Sequence, residues 1–251
     1  AAVGVGNTAK LSVGIVSAYQ LYGDGSALTN VPGFTPDACE NLFAGTDAGK
    51  CAGGSAQNNV ALGHKAGCKV TSANRNVFIG CAAGQKTTSG DYNVFFGQAG
   101  EENDSGGCNT FIGMRAGYQN TSGCHNHFVG WYAGCNNTTG CCNISIGRCA
   151  LGSSGTALTG NANIALGDFS GRNLTTGSHN VLFGTEAGEN LNTGSNNIVL
   201  GCCAGYCITS GCCNIFIGRI AARGDAAITG HHNTIIGDCA GYGIEAGYYN
   251  A

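Results

Sequence analysis

Cysteine is the residue type whose number and spacing most strongly suggest a chemical role, either metal binding or disulfide formation. The chain contains 16 Cys, and they cluster beside the Asn and Gly residues that punctuate it. Metal sites usually combine paired ligands such as C-x-x-C, and the sequence contains no such pair. We therefore predict no metal site and favour disulfides, with Cys135 to Cys141 and Cys207 to Cys212 as candidate local bridges. The alternative is that many cysteines are free, small, apolar residues at corners.

Histidines and acidic residues are the other candidates for catalysis. The six His include the pair His231 and His232, but no Ser, Cys or carboxylate recurs beside them at a fixed offset, as nucleophilic catalysis would need. Acids such as Glu101 and Glu186 could include a glycosidase pair, but a sequence does not give their separation in space. We predict that the chain is not an enzyme and binds no cofactor. A polysaccharide-degrading β-helix is a less favoured alternative.

Composition excludes several classes of protein. Gly accounts for 45 of 251 residues and Pro for only 2, which fits neither collagen nor a flexible linker. The net charge is -3 and there is no basic block, so we predict no nucleic-acid partner. No apolar run approaches the roughly 20 residues that cross a bilayer, so we predict no membrane insertion. Neutral Asn, Ser, Thr and Gly must supply the polar surface, which suits a rigid extracellular fibre.

An internal repeat must position all of these residues. The unit N-x-x-x-G-x-x-A-G recurs from Asn41 onward, and most steps are 17 residues long. The three residues between Asn and Gly are β-branched or aromatic and are bounded by turn formers, as in Val77 to Ile79, so they predict a short strand. Gly after the strand fits a corner that needs positive φ or close approach of a neighbouring coil.

One coil per repeat follows from these features. We predict an all-β, parallel β-solenoid (a β-roll or β-helix) of about twelve 17-residue coils over residues 41–251, preceded by a connector over residues 1–40. Stacked coils place equivalent residues about 4.8 Å apart, so the repeated Asn can form a side-chain ladder. The predicted ladder comprises Asn59, Asn76, Asn93, Asn109, Asn126, Asn143, Asn180, Asn197 and Asn214. The predicted corners are Gly63, Gly80, Gly97, Gly113, Gly130, Gly147, Gly184, Gly201 and Gly218.

Both faces of the predicted strand are apolar. The first and third residues of a strand share one face, and the middle residue, often Phe, points to the other. If the face with the first and third residues fills the solenoid interior, the middle residues, such as Phe78 and Phe95, form a column of Phe on the outside. Exposing it would forgo about 25 cal/mol for each Å² of apolar surface. Cover by the protein's own loops is one solution, and we favour burial against identical chains in a homotrimer.

The repeats resemble those of a known family. NVFIGCAAG (76–84) and NIVLGCCAG (197–205) resemble repeats in tail-fibre proteins of marine tailed phages, cyanophages in particular. SVGIVSAYQLYGDGSALTNVPG (12–33) is similar to GIVTA and YGDGS-x-LT segments of those proteins. The repeat is also similar to SVAIG-type coils in the heads of trimeric autotransporter adhesins, whose repeat is shorter.

This resemblance implies an extracellular trimeric fibre, on a virion or a cell-surface appendage. Its expected role is structural, with a host cell-surface glycan or protein as the candidate partner. A bacterial trimeric adhesin head is the main alternative. An ice-binding solenoid would need a flat Thr array, whereas pairs such as Thr138 and Thr139 are sporadic.

Overall fold

The computed structural model describes residues 37–152, 155–224, 226–243 and 247. Residues 1–36, and with them most of the predicted connector, lie outside the described residues. The described part of the chain contains twelve β-strands and no helix, and so no helix that could cross a membrane. The strands are β1 Leu42–Ala44, β2 Val60–Leu62, β3 Val77–Ile79, β4 Val94–Phe96, β5 Thr110–Ile112, β6 His127–Val129, β7 Ile144–Ile146, β8 Ile164–Leu166, β9 Val181–Phe183, β10 Ile198–Leu200, β11 Ile215–Ile217 and β12 Thr234–Ile236.

All twelve strands form one parallel sheet in sequence order, β1 to β12. Each strand pairs in register with the next, so that Phe95 faces Phe111 and Phe111 faces Phe128. We call the chain from one repeat Asn to the next a coil, and eleven complete coils connect the twelve strands. The predicted all-β parallel solenoid is therefore confirmed. The 20-residue step from Asn143 to Asn163 keeps this register, with Ile144 opposite Ile164.

The interior of the solenoid is formed by the middle residue of each strand. Phe78, Phe95, Phe111 and Phe128 are fully buried, and their rings stack at centroid distances of 5.2, 4.8 and 4.9 Å along the column. The prediction that this Phe column lies outside the solenoid is therefore wrong. A signal for the correct face was present, because the repeat Asn and the middle residue are two positions apart and so share a face. A buried Asn ladder requires a buried middle residue.

A second core position compensates for the size of the first. It lies eleven residues after the repeat Asn in the 17-residue coils, and both positions contribute to the same fully buried interior. Where the strand supplies Phe111, the second position is Asn120, and where the strand supplies only Ser145, it is Leu158. Close packing at constant volume explains the exchange, since neither voids nor overfilled cores are tolerated.

The outer face of the sheet is a largely apolar stripe, interrupted by Thr110, His127 and Thr234. It consists of the first and third residues of every strand, and its most exposed members include Phe96 at 39%, Ile146 at 45%, Phe183 at 54% and Ile236 at 66%. The stripe that was expected to consist of Phe is thus mostly aliphatic. It runs along the whole described sheet, and we refer to it below as the outer stripe.

The corner glycines bring neighbouring coils into close contact. Gly130 has φ of 134°, and a Cβ placed on it would lie 2.6 Å from the carbonyl oxygen of Gly147 in the next coil. A side chain here meets backbone that moves only if the coils separate. All predicted corners but Gly97 thus combine an unusual backbone conformation with a lack of space.

Substitution at this corner is expected to destabilise the fold. Gly130→Ala should lower the free energy of unfolding by about 2 to 3 kcal/mol, from backbone strain and the clash with Gly147. Gly54→Ala is the matched control, because a Cβ there has no atom within 4 Å. Urea denaturation of both variants measures the difference. Equal stability of the two variants would contradict the steric role of the corner.

Candidate functional site

The repeated Asn residues form a fully buried ladder inside the solenoid. The backbone N–H of Asn197 donates to Oδ1 of Asn180 at 3.0 Å, and Nδ2 of Asn180 donates to the carbonyl oxygen of Gly194 at 2.9 Å. The Asn180 side chain therefore connects its own coil to the next and also closes the last corner of its own coil, as most of the other ladder side chains do. The column contains all nine predicted asparagines and in addition Asn41, Asn163 and Asn233.

The ladder forms hydrogen bonds with backbone N–H and C=O groups that the short strands do not pair. Buried N–H and C=O groups must be paired, and a three-residue strand pairs few of them. Asn suits this position because its amide both donates and accepts. Its role is structural, since the side chains are 0 to 2% exposed between Asn41 and Asn233 and are closed to any ligand in solution.

A second, shorter ladder was not predicted. Asn103, Asn120 and Asn137 are fully buried, and each Nδ2 of the last two donates to Oδ1 of the preceding one at 2.6 Å. The ladder ends where Leu158 occupies the same position in the next coil, and Oδ1 of Asn137 has no hydrogen-bond partner among the described residues. Alignment of the repeats was the signal that could have revealed it, because these Asn recur at the same offset.

A third column lies at the surface, two residues before each ladder Asn. Eight of its side chains accept a hydrogen bond from the backbone N–H of the equivalent residue in the preceding coil. The acceptors are Asn74, Asp91, Cys141, Asn161, Ser178, Ser195, Cys212 and His231, at 2.6 to 3.3 Å. At Cys141 and Cys212, sulfur thus serves as one of several interchangeable acceptors in this column. We refer to it below as the acceptor column.

The two predicted local disulfides are absent from the structure. All sixteen cysteines lie in the described residues and are free thiols. Cys135 is buried with Sγ 3.1 Å from Oδ1 of Asn136, whereas Sγ of Cys141 lies at the surface, 3.5 Å from the carbonyl oxygen of Thr139. Burial raises the pKa of Cys135 to about 11, which disfavours the thiolate that disulfide formation needs.

The other candidate bridge is separated in the same way. Sγ of Cys207 donates to the carbonyl oxygen of Gly224 at 2.8 Å, and Sγ of Cys212 donates to that of Ser210 at 3.5 Å. Cys212 belongs to the acceptor column, where it contacts Ser195 in the preceding coil. Stacking therefore makes residues one coil apart into neighbours. The predicted bridges instead join cysteines that are close together in the sequence of one loop.

Two acidic residues pair with basic groups across coils. Glu102 lies 2.6 Å from Nζ of Lys86, and Glu189 lies 3.4 Å from Nη1 of Arg172. Burial raises the pKa of Glu189, and the repulsion of Glu186 acts in the same direction. Within the part of the chain that the structure describes, no three His, Cys, Asp or Glu side chains are grouped as a metal site would require. These contacts indicate that Glu102 and Glu189 support the stacking of neighbouring coils.

Comparisons with known proteins identify no family for this chain. No protein-family model, no curated protein and no solved structure matches the chain. The resemblance of the repeats to phage tail fibres therefore stays a prediction.

Proposed function

We propose that this chain is a shaft segment of a phage tail fibre or a similar extracellular appendage, with a mechanical and spacing role. The observation that supports this most directly is the unbroken register of twelve strands with a buried Asn ladder along the same axis. Eleven coils at about 4.8 Å each extend the sheet over about 53 Å. Because each coil is bonded to the next by the same kinds of contact, the junctions that carry an axial load are similar along the sheet.

The proposal includes association of identical chains, three to a fibre. The outer stripe supports it, since Phe96, Ile146 and Phe183 are each 39 to 54% exposed on one uncharged surface. Exposed apolar surface of this extent usually marks an interface. Another copy of the chain carries the same 4.8 Å spacing of side chains, so its stripe can interdigitate over the full length. The number three rests on the resemblance of the repeats to trimeric fibres.

Attachment to a host surface is the second part of the proposal. Trp131, which is 47% exposed and packs edge-on against Tyr132 at 4.7 Å, provides an aromatic surface of the kind that stacks on sugars. A cell-surface glycan is therefore the partner that we would test first. Loss of glycan binding in Trp131→Ala, with an unchanged native mass, is the expected result.

Association is tested by the native mass of the full chain. Two carboxylates placed in the outer stripe, Ile146→Asp with Phe183→Asp, would have to be buried in an apolar contact. We expect them to weaken association by about 100-fold or more, so that a trimer becomes a monomer at micromolar concentration.

The matched control is Ser122→Asp, which adds a carboxylate to an exposed corner outside the stripe. It should leave the mass unchanged, and circular dichroism should show β-structure in all variants. A wild-type monomer, or a trimer that survives both stripe substitutions, would refute this mode of assembly.

A further inference from the structure

Two cysteines occupy the same position in successive coils. Cys124 and Cys141 both lie in the acceptor column, and the backbone N–H of Cys124 donates to Sγ of Cys141 at 3.2 Å. Each thiol also donates to the carbonyl oxygen two residues before it, Ser122 at 3.2 Å and Thr139 at 3.5 Å. The two side chains therefore leave the backbone in the same direction and stack one above the other.

The spacing of the coils suits a covalent bond between them. Equivalent residues on neighbouring parallel coils are about 4.8 Å apart, within the range of about 4.4 to 6.8 Å that disulfides span between Cα atoms. Both cysteines are partly exposed, so a small oxidant in solution can reach them. We propose that Cys124 and Cys141 form a disulfide that joins two successive coils of the solenoid.

The chemistry needs a small-molecule disulfide, such as oxidised glutathione, as the oxidant. One cysteine loses its proton, and its thiolate attacks the small disulfide, forming a mixed disulfide and releasing one small thiolate. The second cysteine loses its proton, and its thiolate attacks the protein sulfur of the mixed disulfide. This step forms the bridge between the two cysteines and releases the second small thiolate. The protein loses two protons and two electrons, and the small disulfide takes up the two electrons.

The rate of this exchange should depend on pH. Burial raises the pKa of the Cys141 thiol, and the hydrogen bond from the backbone of Cys124 partly offsets this. Less thiolate is therefore present at neutral pH than at an ordinary cysteine, and bridge formation should become faster as the pH rises.

Neighbouring cysteines are placed less well for this reaction. Cys142 follows Cys141 directly, but the equivalent residues in the adjacent coils are His125 and Ala162. Sγ of Cys202 and Sγ of Cys203 are only 3.4 Å apart, yet a bridge between adjacent residues would have to close across one planar trans peptide. Cys124 and Cys141 avoid both problems.

Cys212 provides a matched control within the same column. It accepts the backbone N–H of Ser195 at 3.3 Å, in the same way as Cys141 accepts that of Cys124. The equivalent residues in its neighbouring coils are Ser195 and His231, so it has no cysteine to pair with in this column. Ser195→Cys should create the missing partner and a second bridge, from residue 195 to Cys212.

The experiment is peptide mapping of the full chain after equilibration with oxidised glutathione and alkylation of the remaining thiols. We expect one peptide pair joined through Cys124 and Cys141, lighter by two hydrogen atoms, and its loss on reduction. Cys141→Ser and Cys124→Ser should each abolish it, whereas Cys142→Ser should retain it. Ser occurs naturally in this column at Ser178 and Ser195, where it accepts the same kind of hydrogen bond, so these variants should keep the fold.

Two results would overturn the proposal. One is full alkylation of Cys124 and Cys141 in the folded wild type after prolonged equilibration with the oxidant. The other is a bridge to Cys124 that survives Cys141→Ser and disappears in Cys142→Ser. Failure of Ser195→Cys to bond with Cys212 would show that equivalent positions in this column do not meet the geometry of a disulfide, and would count equally against it.

Discussion

Phe111→Ala is expected to lower the free energy of unfolding by about 3 to 5 kcal/mol. The ring is fully buried and stacks on Phe95 at 4.8 Å and on Phe128 at 4.9 Å. It also fills the space left by Gly117, where an added Cβ would lie 2.4 Å from the ring. Truncation thus removes contacts on three sides, and the coils above and below hold the cavity open. Urea denaturation followed by circular dichroism measures the loss.

Phe183→Ala is the control for this prediction. Phe183 belongs to the outer stripe and is 54% exposed, so its truncation should cost the isolated chain about 1 kcal/mol or less. The comparison is made with chains that carry the stripe substitution Ile146→Asp, so that association does not contribute. The order of the two effects is the informative result. If Phe183→Ala were the more damaging change, the assignment of the middle strand residue to the interior would be wrong.

Asn180→Ala is expected to cost about 4 kcal/mol. The side chain accepts the backbone N–H of Asn197 at 3.0 Å and donates to the carbonyl oxygen of Gly194 at 2.9 Å. Alanine leaves both of these buried backbone groups without the partners they have here, and each such group costs about 1 to 3 kcal/mol. Thermal and urea denaturation should both show the loss, and hydrogen exchange should show faster exchange at the N–H of Asn197.

Asn173→Ala is the control that shows whether a buried ladder amide stabilises the fold more than an amide pair at the surface does. Nδ2 of Asn173 donates to Oδ1 of Asn190 at 3.0 Å, also one coil away, but at a half-buried surface. Water replaces that bond, so the expected cost is about 1 kcal/mol or less. Similar losses for the two variants would mean that the buried ladder adds no more than surface amide pairs do.

Much of the fold follows from the period of the repeat. When equivalent residues return every 17 positions, stacking is the arrangement that places like side chains in contact, so the pattern itself encodes contacts between coils. The strands from Val60–Leu62 to Thr234–Ile236 lie between Asn and Gly as the sequence predicts. The Asn column and the Gly corners are also recognisable, because an amide that donates and accepts, and a residue without Cβ, are each needed at one defined position.

The strand composition alone did not reveal which face is buried. Both faces of the three-residue strand are apolar, so hydrophobic alternation has no preferred phase. The structure decides it through the buried Asn, which shares a face with Phe111 and its equivalents, and through Gly117, which leaves room for the ring. The second ladder, at Asn103, Asn120 and Asn137, likewise depends on which corners point inward.

The period, the strands and the residue types of the ladder and corners can be read from the amino-acid sequence, because these are properties of a single repeat copied along the chain. Which side chains meet across coils depends on how the coils stack, and this is seen only in the folded chain. Cys141 lies six residues after Cys135 and seventeen after Cys124, yet its sulfur contacts the backbone of Cys124. In a stacked solenoid the nearest neighbour of a corner residue is its equivalent one full coil away, so proximity along the loop is a poor guide to contact in space.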